Sequence, residues 1–167
     1  MTRTVPFAIT LHIRDTCLCL HTQRAVRVLA RQFDRAFQPL GLTNQQFSLM
    51  MALNRPEPPT LSALAAFLAV DRTTLTAALK PLERRGLVAA LPNRADRRSK
   101  LLRLTPEGEA LLRHAVPIWG RAHAKLEAVL PSSPDALRGA LDALAHSEGA
   151  EAPEHAHAAG PALVVGE

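Results

Sequence analysis

The sequence predicts a mainly α-helical fold with one short β-hairpin, and three observations support this. Hydrophobic residues make up 47% of the 167 residues, yet aromatic residues make up 4% and tyrosine is absent. A core of Leu, Ala and Val is therefore expected, and that mixture favours helices. Apolar residues also recur at helical intervals, and two short apolar runs of strand length flank a polar segment after Gly86.

The first predicted element is an amphipathic helix from Thr16 to Gln38. Arginines fall largely outside its apolar stripe, which consists of Leu18, Cys19, Val26, Leu29, Phe33 and Phe37. Pro39 and Gly41 end this helix, and Thr43 is a suitable N-cap for a shorter helix that runs to about Leu53.

Two short helices joined by a tight turn are predicted next. Thr60 or Ser62 caps the first of them. Asp71 is a good N-cap for the second, which begins at Arg72 and ends at Gly86. Helix, turn and helix in direct succession form a unit that often binds DNA.

A hairpin follows this pair directly, with strands at 87–91 and 100–104 and a polar, basic tip at 93–99. The order helix, turn, helix and hairpin is that of a winged helix-turn-helix. A long helix from Pro106 to about Leu130 and a last helix at 134–145 complete the prediction.

We expect one domain over residues 1–146, with its DNA-binding lobe at about 43–104 and with dimerisation helices at its N- and C-terminal ends. Residues 147–167 contain four acids, no Lys or Arg and few core-forming residues. They are expected to form a disordered acidic tail.

Positive charge is concentrated in one part of the chain. Residues 1–146 carry 20 basic and 11 acidic residues, and the segment from Arg72 to Arg103 alone carries nine basic and two acidic residues. Such a cluster suits a polyanion. A solvated basic face is the alternative, and charge alone does not distinguish nucleic acid from a membrane surface.

The sequence contains no apolar stretch of the ~20 residues that a membrane span needs, and its N-terminus lacks a signal peptide pattern. We expect a cytoplasmic protein without a membrane partner. Cys17 and Cys19 lie on the predicted helix about 200° apart, at ~100° per residue. They should not bridge readily within one chain, which excludes a secreted disulfide scaffold.

The second helix of a helix-turn-helix lies in the major groove, where its first residues meet the base edges. The candidate DNA-binding residues here are Arg72, Thr73, Thr74, Thr76 and Lys80. Arginine can bind guanine through two hydrogen bonds, and threonine offers a hydroxyl and a methyl group. The alternative is that these threonines are simply exposed helix positions.

The hairpin tip supplies a second set of candidates: Arg94, Arg97 and Arg98. Arginine on a projecting wing suits the negative potential of a narrow minor groove. Asp96 would repel phosphate, so we expect it to pair with a neighbouring arginine and orient the wing.

Several runs resemble the MarR (multiple antibiotic resistance regulator) family. They are Leu42-Thr43 with Gln46-Phe47, Asp71-Arg72-Thr73-Thr74-Leu75, Leu82-Glu83-Arg84-Arg85-Gly86-Leu87-Val88, Asp96-Arg97-Arg98 and Leu104-Thr105-Pro106-Glu107-Gly108. The resemblance spans about residues 16–130. It implies a homodimer with intertwined terminal helices, an operator that is a short inverted repeat, and repression relieved by a ligand or by oxidation. It also places the family's minor-groove arginine at Arg98, with Arg97 as a second candidate, and the wing acid at Asp96.

The same resemblance places Cys19 where the family's organic-hydroperoxide sensors carry their reactive cysteine. Those sensors hold the thiolate with tyrosines, and here Gln23 and Phe33 stand at two of the corresponding positions. A buried core thiol is the alternative interpretation of Cys19. Cys17 precedes His21 by one helical turn, which makes it the second redox candidate.

A small aromatic or oxidant effector is the remaining predicted partner. His12, His21, Phe47 and Met50 are the candidates for the lining of its pocket, between the dimer helices and the DNA-binding lobe. Cys17 and His21 lack an orienting third group, so we expect no enzyme. We also expect no cofactor and no metal site.

The leading hypothesis is a sequence-specific, dimeric transcriptional regulator that represses from a palindromic operator and is released by a small-molecule effector. A cysteine-based redox-sensing repressor, a non-specific architectural DNA-binding protein and a winged-helix protein-interaction module are the alternatives. Specificity separates the regulator from the architectural protein, because a regulator should prefer one site by ~10³ or more over random DNA.

Overall fold

The structure, a computed structural model, describes residues 5–146. Within them the chain forms helices and one hairpin in the predicted order. The elements are α1 (Phe7–Thr16), α2 (Leu18–Phe37), a 3-10 turn (Gln38–Leu40), α3 (Asn44–Leu53), α4 (Leu61–Phe67), α5 (Arg72–Arg84), β1 (Val88–Pro92), β2 (Lys100–Leu104), α6 (Pro106–Glu127) and α7 (Pro134–Ala145).

Local capping explains why the three short helices begin where the sequence predicts. Thr43 and Gln46 form a reciprocal capping box at α3, because each side chain accepts a hydrogen bond from the other residue's backbone N–H. The Thr60 hydroxyl accepts from Ala63 N at 3.2 Å at the start of α4. The predicted caps of α3, α4 and α5 are therefore confirmed.

The N-terminal helix differs from the prediction. Residues 7–16 form a separate helix, α1, which was not predicted from the sequence. The helical conformation is interrupted at Cys17, and α2 begins at Leu18. Cys17 has an extended backbone with ψ 105°, and its sulfur accepts a hydrogen bond from Leu20 N at 3.4 Å. No residue of α1 is buried. This helix has no apolar stripe facing the core, and such a stripe is the pattern from which a helix is predicted.

The core lies where α2, α3, α4 and α5 meet. Its most deeply buried side chains are Phe37, Met50, Leu64, Leu75 and Leu82. The Phe37 ring of α2 stacks on Phe47 of α3, with their centroids 4.5 Å apart. The core therefore holds the apolar side of α5, which includes Leu75 and Leu82, while the opposite side of α5 stays exposed.

The wing, which we define as residues 88–104, is an antiparallel hairpin in which Val88 pairs with Leu104 and Pro92 with Lys100. It is joined to the segment before α4, since Leu102 N donates to Pro59 O at 2.9 Å and Thr60 forms an isolated bridge with Leu101. The hairpin is therefore fixed to the helix-turn-helix at its base.

The junction between the wing and α6 depends on Thr105 and Gly108. The Thr105 hydroxyl donates to Gly86 O at 2.6 Å and accepts from Gly108 N at 3.1 Å. A Cβ on Gly108 would lie 2.1 Å from Leu87 O, so the backbone approach there requires glycine. These contacts give the Leu-Thr-Pro-Glu-Gly run a packing role.

The described residues divide into two compact units, one up to Lys125 and one from Leu126 onward. In the second, Arg138 joins Glu127 and Asp135 through N–O distances of 2.7 and 2.5 Å. The predicted boundary at residue 146 stays a prediction, because the predicted tail at 147–167 lies outside the described residues.

Among residues 5–146, no single helix has the length and apolarity of a membrane span. The pair α4 and α5 meets that test jointly, but a 107° bend separates the two helices.

Candidate nucleic-acid interface

Asp71 sets the start and direction of α5. Its carboxylate accepts from Thr74 N at 2.8 Å and from the Thr74 hydroxyl at 2.5 Å. These two hydrogen bonds, the hydroxyl first, hold the pKa of the Asp71 carboxyl below its usual value. The carboxylate is thus ionised at neutral pH and satisfies the first turn of the helix.

The two sides of α5 have different environments. Leu75, Leu79 and Leu82 are buried, whereas the predicted DNA-binding residues Arg72, Thr73, Thr74, Thr76 and Lys80 are all exposed. At ~100° per residue, Thr73, Thr76 and Lys80 fall on one side of the helix, which we call the outer face of α5. Exposed Arg84 follows Lys80 by one turn on this face, and the sequence analysis did not single it out.

The threonine hydroxyls are less available than the sequence analysis assumed. The Thr74 hydroxyl donates its proton to Asp71, and the Thr76 hydroxyl donates to Arg72 O at 2.6 Å. Both residues can still accept a hydrogen bond or present a methyl group, but neither has a free hydroxyl donor in this conformation.

Arg85 has a different role from its neighbour Arg84. Its guanidinium donates to Gly41 O at 2.6 Å and to Leu40 O at 3.3 Å, and so joins the end of α5 to the turn between α2 and α3. On the other side of that turn, Asp34 of α2 accepts from Asn44 N at 2.7 Å. Arg85 therefore belongs to the scaffold, although it contributes to the positive cluster.

The wing tip, residues 93–99, places its three candidate arginines in solvent. Arg94, Arg97 and Arg98 are exposed. Asn93 closes the tip, because its amide donates to the Ser99 hydroxyl at 2.8 Å and its side-chain oxygen accepts from Ala95 N at 3.0 Å. The tip is therefore an ordered turn that carries three cations.

Asp96 orders this turn through the backbone, and the expected pairing with an arginine side chain is wrong within the described residues. Its carboxylate accepts from Arg98 N at 2.9 Å, and its carbonyl accepts from Ser99 N at 3.0 Å. Asp96 thus fixes the backbone at Arg98 and leaves the guanidinium of Arg98 free to point elsewhere.

The cysteines lie in positions that the sequence analysis did not expect. Cys19 is exposed in this protomer and so lies outside the protomer's own core, and Gln23 Nε2 lies 3.3 Å from its sulfur. Cys17 is the half-buried N-cap of α2 and lies outside the helix. The helical angle that argued against a bridge between them therefore does not apply.

The structure does not bring the four predicted pocket residues together around an open space. Phe47 and Met50 are buried in the core, whereas His12 and His21 are exposed on α1 and α2. A cavity of about 320 Å³ lies elsewhere, between α3, the turn before α5, and α5 itself. The predicted pocket is thus not formed within one protomer.

Comparisons with known proteins agree with this geometry. A model of the MarR family matches residues 42–100, which run from just before α3 to the first residue of β2. The transcriptional activatory protein BadR of Rhodopseudomonas palustris is 36% identical over 88 residues, which are 51% of this chain and 50% of BadR. This chain therefore matches half the length of that relative.

Two other comparisons cover more of the matched proteins. The organic hydroperoxide resistance transcriptional regulator of Bacillus subtilis is 31% identical over 103 residues, which are 62% of this chain and 70% of the relative. The crystal structure of the M. tuberculosis transcriptional regulator MosR in complex with DNA superposes with a TM-score of 0.69 at 40% identity. That superposition covers 75% of this chain and 92% of the other.

Proposed function

Because this chain belongs to the MarR family of winged helix-turn-helix transcriptional regulators, we propose that it represses transcription from a palindromic operator as a homodimer and is released by a small-molecule effector. The observation that carries this proposal is the pairing of two basic, exposed surfaces on one packed lobe. These are the outer face of α5 and the wing tip. An exposed α-helix fits the major groove of duplex DNA, and arginines suit the negative potential of a narrow minor groove.

Charge and rigidity support the same proposal. Arg72 and Lys80 on α5, with Arg94, Arg97 and Arg98 on the wing tip, are exposed cations. The backbone contacts of β2 with Pro59 and Thr60 attach the wing to the helix-turn-helix. This attachment keeps the wing tip at a fixed place relative to α5. A preformed arrangement of this kind loses little conformational entropy when it binds a duplex.

The apolar stripe of α2 supports the dimer. At its C-terminal end Phe33 and Phe37 are 8% and 0% exposed, but nearer the N-terminus Val26 and Leu29 are 56% and 40% exposed. The protomer therefore covers one half of the stripe and leaves the other half in solvent. We propose that a second copy of the chain covers the part of the stripe around Val26 and Leu29.

Nuclease footprinting on the DNA upstream of the chain's own gene tests the proposal. We expect a protected palindrome whose half-sites are about 10 bp, or one DNA turn, apart, because dyad symmetry places two copies of α5 in successive major grooves. Adding a panel of aromatic acids or a peroxide to the same reactions identifies the effector class. Protection of an asymmetric site by a single chain would contradict the proposal.

The same DNA distinguishes a regulator from an architectural protein. A regulator should bind the palindrome at least ~10³-fold more tightly than a scrambled duplex at one salt concentration. Equal affinities with the same salt dependence would favour the architectural alternative.

A redox-sensing repressor is the second candidate, and the exposure of Cys19 favours it. An exposed thiol can be reached by an organic hydroperoxide, which oxidises a thiolate to a sulfenic acid and leaves an alcohol. Cys17 lies two residues away, where its sulfur could condense with that sulfenic acid to a disulfide and release water. Oxidation at this point would act on the N-terminus of α2, which carries the proposed dimer stripe.

Single cysteine variants test this second candidate. If oxidation controls binding, mild peroxide should release the parent protein from its operator, and Cys19→Ser should stay bound under the same treatment. Cys17→Ser is the matched control that separates sulfenic acid formation from disulfide formation. A parent protein whose operator affinity does not respond to peroxide would remove the redox alternative.

A further inference from the structure

The side of α2 that faces away from the core carries four arginines. At ~100° per residue they fall within an arc of about 80°, opposite the apolar stripe with Val26, Leu29 and Phe33. All four are exposed. We call them the arginine face of α2: Arg24, Arg27, Arg31 and Arg35. A second copy that covers the stripe around Val26 and Leu29 would leave this face in solvent.

The charge of the arginine face is not neutralised within the protomer. Among residues 5–146, none of its guanidiniums forms an ion pair, and their only side-chain hydrogen bond runs from Arg27 to Gln23 Oε1 at 3.5 Å. Asp34 is the one acid of α2, and its carboxylate accepts from Asn44 N at 2.7 Å. Like charges one helical turn apart destabilise a helix. An external anion bound along this face would therefore stabilise α2.

The spacing of the arginine face matches a phosphate backbone. Arg24 and Arg35 lie about 16 Å apart along the helix axis, at ~1.5 Å per residue. One strand of duplex DNA carries a phosphate every ~3.4 Å, so the face spans about five phosphates. Arginine also suits phosphate better than lysine does, because its planar guanidinium donates two parallel hydrogen bonds. All the basic residues of α2 are arginines, apart from His21.

Protein and membrane partners fit this face less well. Protein interfaces are centred on buried aromatic or apolar anchors. Within its arc the arginine face has one apolar side chain, the half-buried Leu20, and Val28 lies at its edge. A helix that lies on a membrane inserts its apolar side into the lipid, but in α2 that side holds Phe33 and Phe37 in the core. A phosphate polymer is therefore the favoured occupant.

Arg85 fixes where α2 ends relative to α5. It joins the C-terminal end of α5 to the turn after α2, through the carbonyls of Gly41 and Leu40. Because α5 has 13 residues, this end is about 20 Å from its first turn. The arginine face therefore starts beside the end of α5 that is farthest from Arg72.

We propose that the arginine face of α2 is a second DNA-binding surface, which holds the phosphate backbone of a duplex other than the one bound by the outer face of α5 and the wing tip. Binding there is independent of sequence, because phosphate contacts carry no base information. The protein would thus hold two DNA segments at once. The first segment rests on the proposed function, whereas the second depends only on the charge of α2.

Capture of a second duplex by the full-length protein tests this proposal. A scrambled duplex is fixed to beads, the protein is bound to it, and a fluorescent scrambled duplex is then added. The parent should retain the fluorescent duplex at low salt. Each of the four guanidiniums contributes about −0.9 to the slope of log affinity against log salt. The affinity for the second duplex should therefore fall on the order of 100-fold between about 50 and about 200 mM salt.

Paired substitutions on the arginine face separate its charge from its structure. Arg24→Gln with Arg31→Gln removes two charges, and glutamine has a helix propensity near that of arginine. The salt slope should become shallower by about 1.8, and the affinity for the second duplex at about 50 mM salt should fall at least ~10-fold. Arg24→Lys with Arg31→Lys keeps the charges and should keep the slope. Arg113→Gln with Arg121→Gln, at exposed positions of α6, is the matched control and should retain the fluorescent duplex as the parent does.

The outcomes separate this surface from the regulator. Loss of the fluorescent duplex in the glutamine variant, with the bead-bound duplex still held, supports the second surface. No retention by the parent, or equal retention by the parent and the glutamine variant, would overturn the proposal. Sedimentation with vesicles of phosphatidylserine and phosphatidylcholine would also overturn it if the glutamine substitutions abolish vesicle binding and leave duplex retention unchanged. A parent without preference for a palindromic operator would contradict the proposed function and leave the capture of scrambled duplexes unaffected.

Discussion

Single arginines of α5 and of the wing tip are expected to contribute to DNA binding through different physics. Arg72→Ala, at the exposed start of α5, should cost ~1–3 kcal/mol on the cognate site if it makes two hydrogen bonds to a base. It should also relax preference at one base pair in each half-site.

Arg98→Ala should weaken binding to cognate and scrambled duplexes more evenly. Because one cation no longer displaces counterions, the slope of log affinity against log salt should become shallower by about 0.9. A salt titration of both variants on both duplexes measures this. If Arg98→Ala matches the parent at every salt concentration, the wing tip does not enter the groove.

The Asp71 cap predicts an acid-sensitive element of stability. The pKa of Asp71 in the folded chain lies below the usual value of an aspartate, since the Thr74 hydroxyl and backbone N–H favour the carboxylate. The resulting stabilisation is complete above the unfolded pKa and is lost as pH falls through the lowered folded pKa.

Carboxyl NMR titration of Asp71 should therefore give a pKa below 3.8 in the parent and a higher value in Thr74→Val, which lacks the hydroxyl donor. Asp71→Asn lacks this carboxyl, so its melting temperature should fall less steeply than that of the parent as the pH is lowered. A titration curve that is identical in parent and Thr74→Val would contradict the assignment.

At the scale of elements, the start of α6 is fixed to the segment between α5 and the wing by a close backbone contact. Gly108→Ala would place a methyl group 2.1 Å from Leu87 O. The helix must then move, and we expect the free energy of unfolding to fall by about 1–3 kcal/mol. Gly120→Ala in the same helix meets nothing within 4 Å and should stabilise the chain by up to about 1 kcal/mol. Denaturant titration compares the two, and equal effects would refute the contact.

Adjacent arginines at the end of α5 are expected to have opposite phenotypes. Arg85→Ala loses the hydrogen bonds to the carbonyls of Leu40 and Gly41 and should cost about 1 kcal/mol of stability. Arg84→Ala should change stability by less than about 0.5 kcal/mol, yet it should reduce the salt dependence of DNA binding. Reversed results would show that Arg85, and not Arg84, reaches the duplex.

For the whole molecule, the uncovered half of the α2 stripe predicts a dimer. Val26 is 56% exposed in the protomer, and Val26→Glu would bury a charge if a second copy covers it. The dimer dissociation constant should then rise at least ~10-fold. Gln32→Glu adds a negative charge at an exposed position away from the stripe and should leave assembly unchanged. Sedimentation equilibrium measures both, and a folded parent monomer at micromolar concentration would contradict the prediction.

Much of this protein could be predicted from its sequence because the signals are local. The caps at Thr43, Thr60 and Asp71 act within three residues, and the hairpin follows from two short apolar runs. The order of elements, the exposed basic face of α5 and the basic wing tip therefore needed no tertiary information. The break at Cys17 was missed because the apolar spacing that predicts α2 begins only at Leu18 and carries no signal of the extended backbone before it.

Tertiary structure decided the features that join residues far apart in the chain. Arg85 became a scaffold residue because its guanidinium meets carbonyls 44 and 45 residues away. Cys19 became exposed because the protomer covers the α2 stripe only from Phe33 onward. Gly108 is required because the backbone of Leu87, in the segment between α5 and β1, approaches it, and the cavity lies where α3 meets α5. The spacing of residues along the chain determines on which face of a helix or strand a side chain lies. Only tertiary packing determines which residues that side chain contacts.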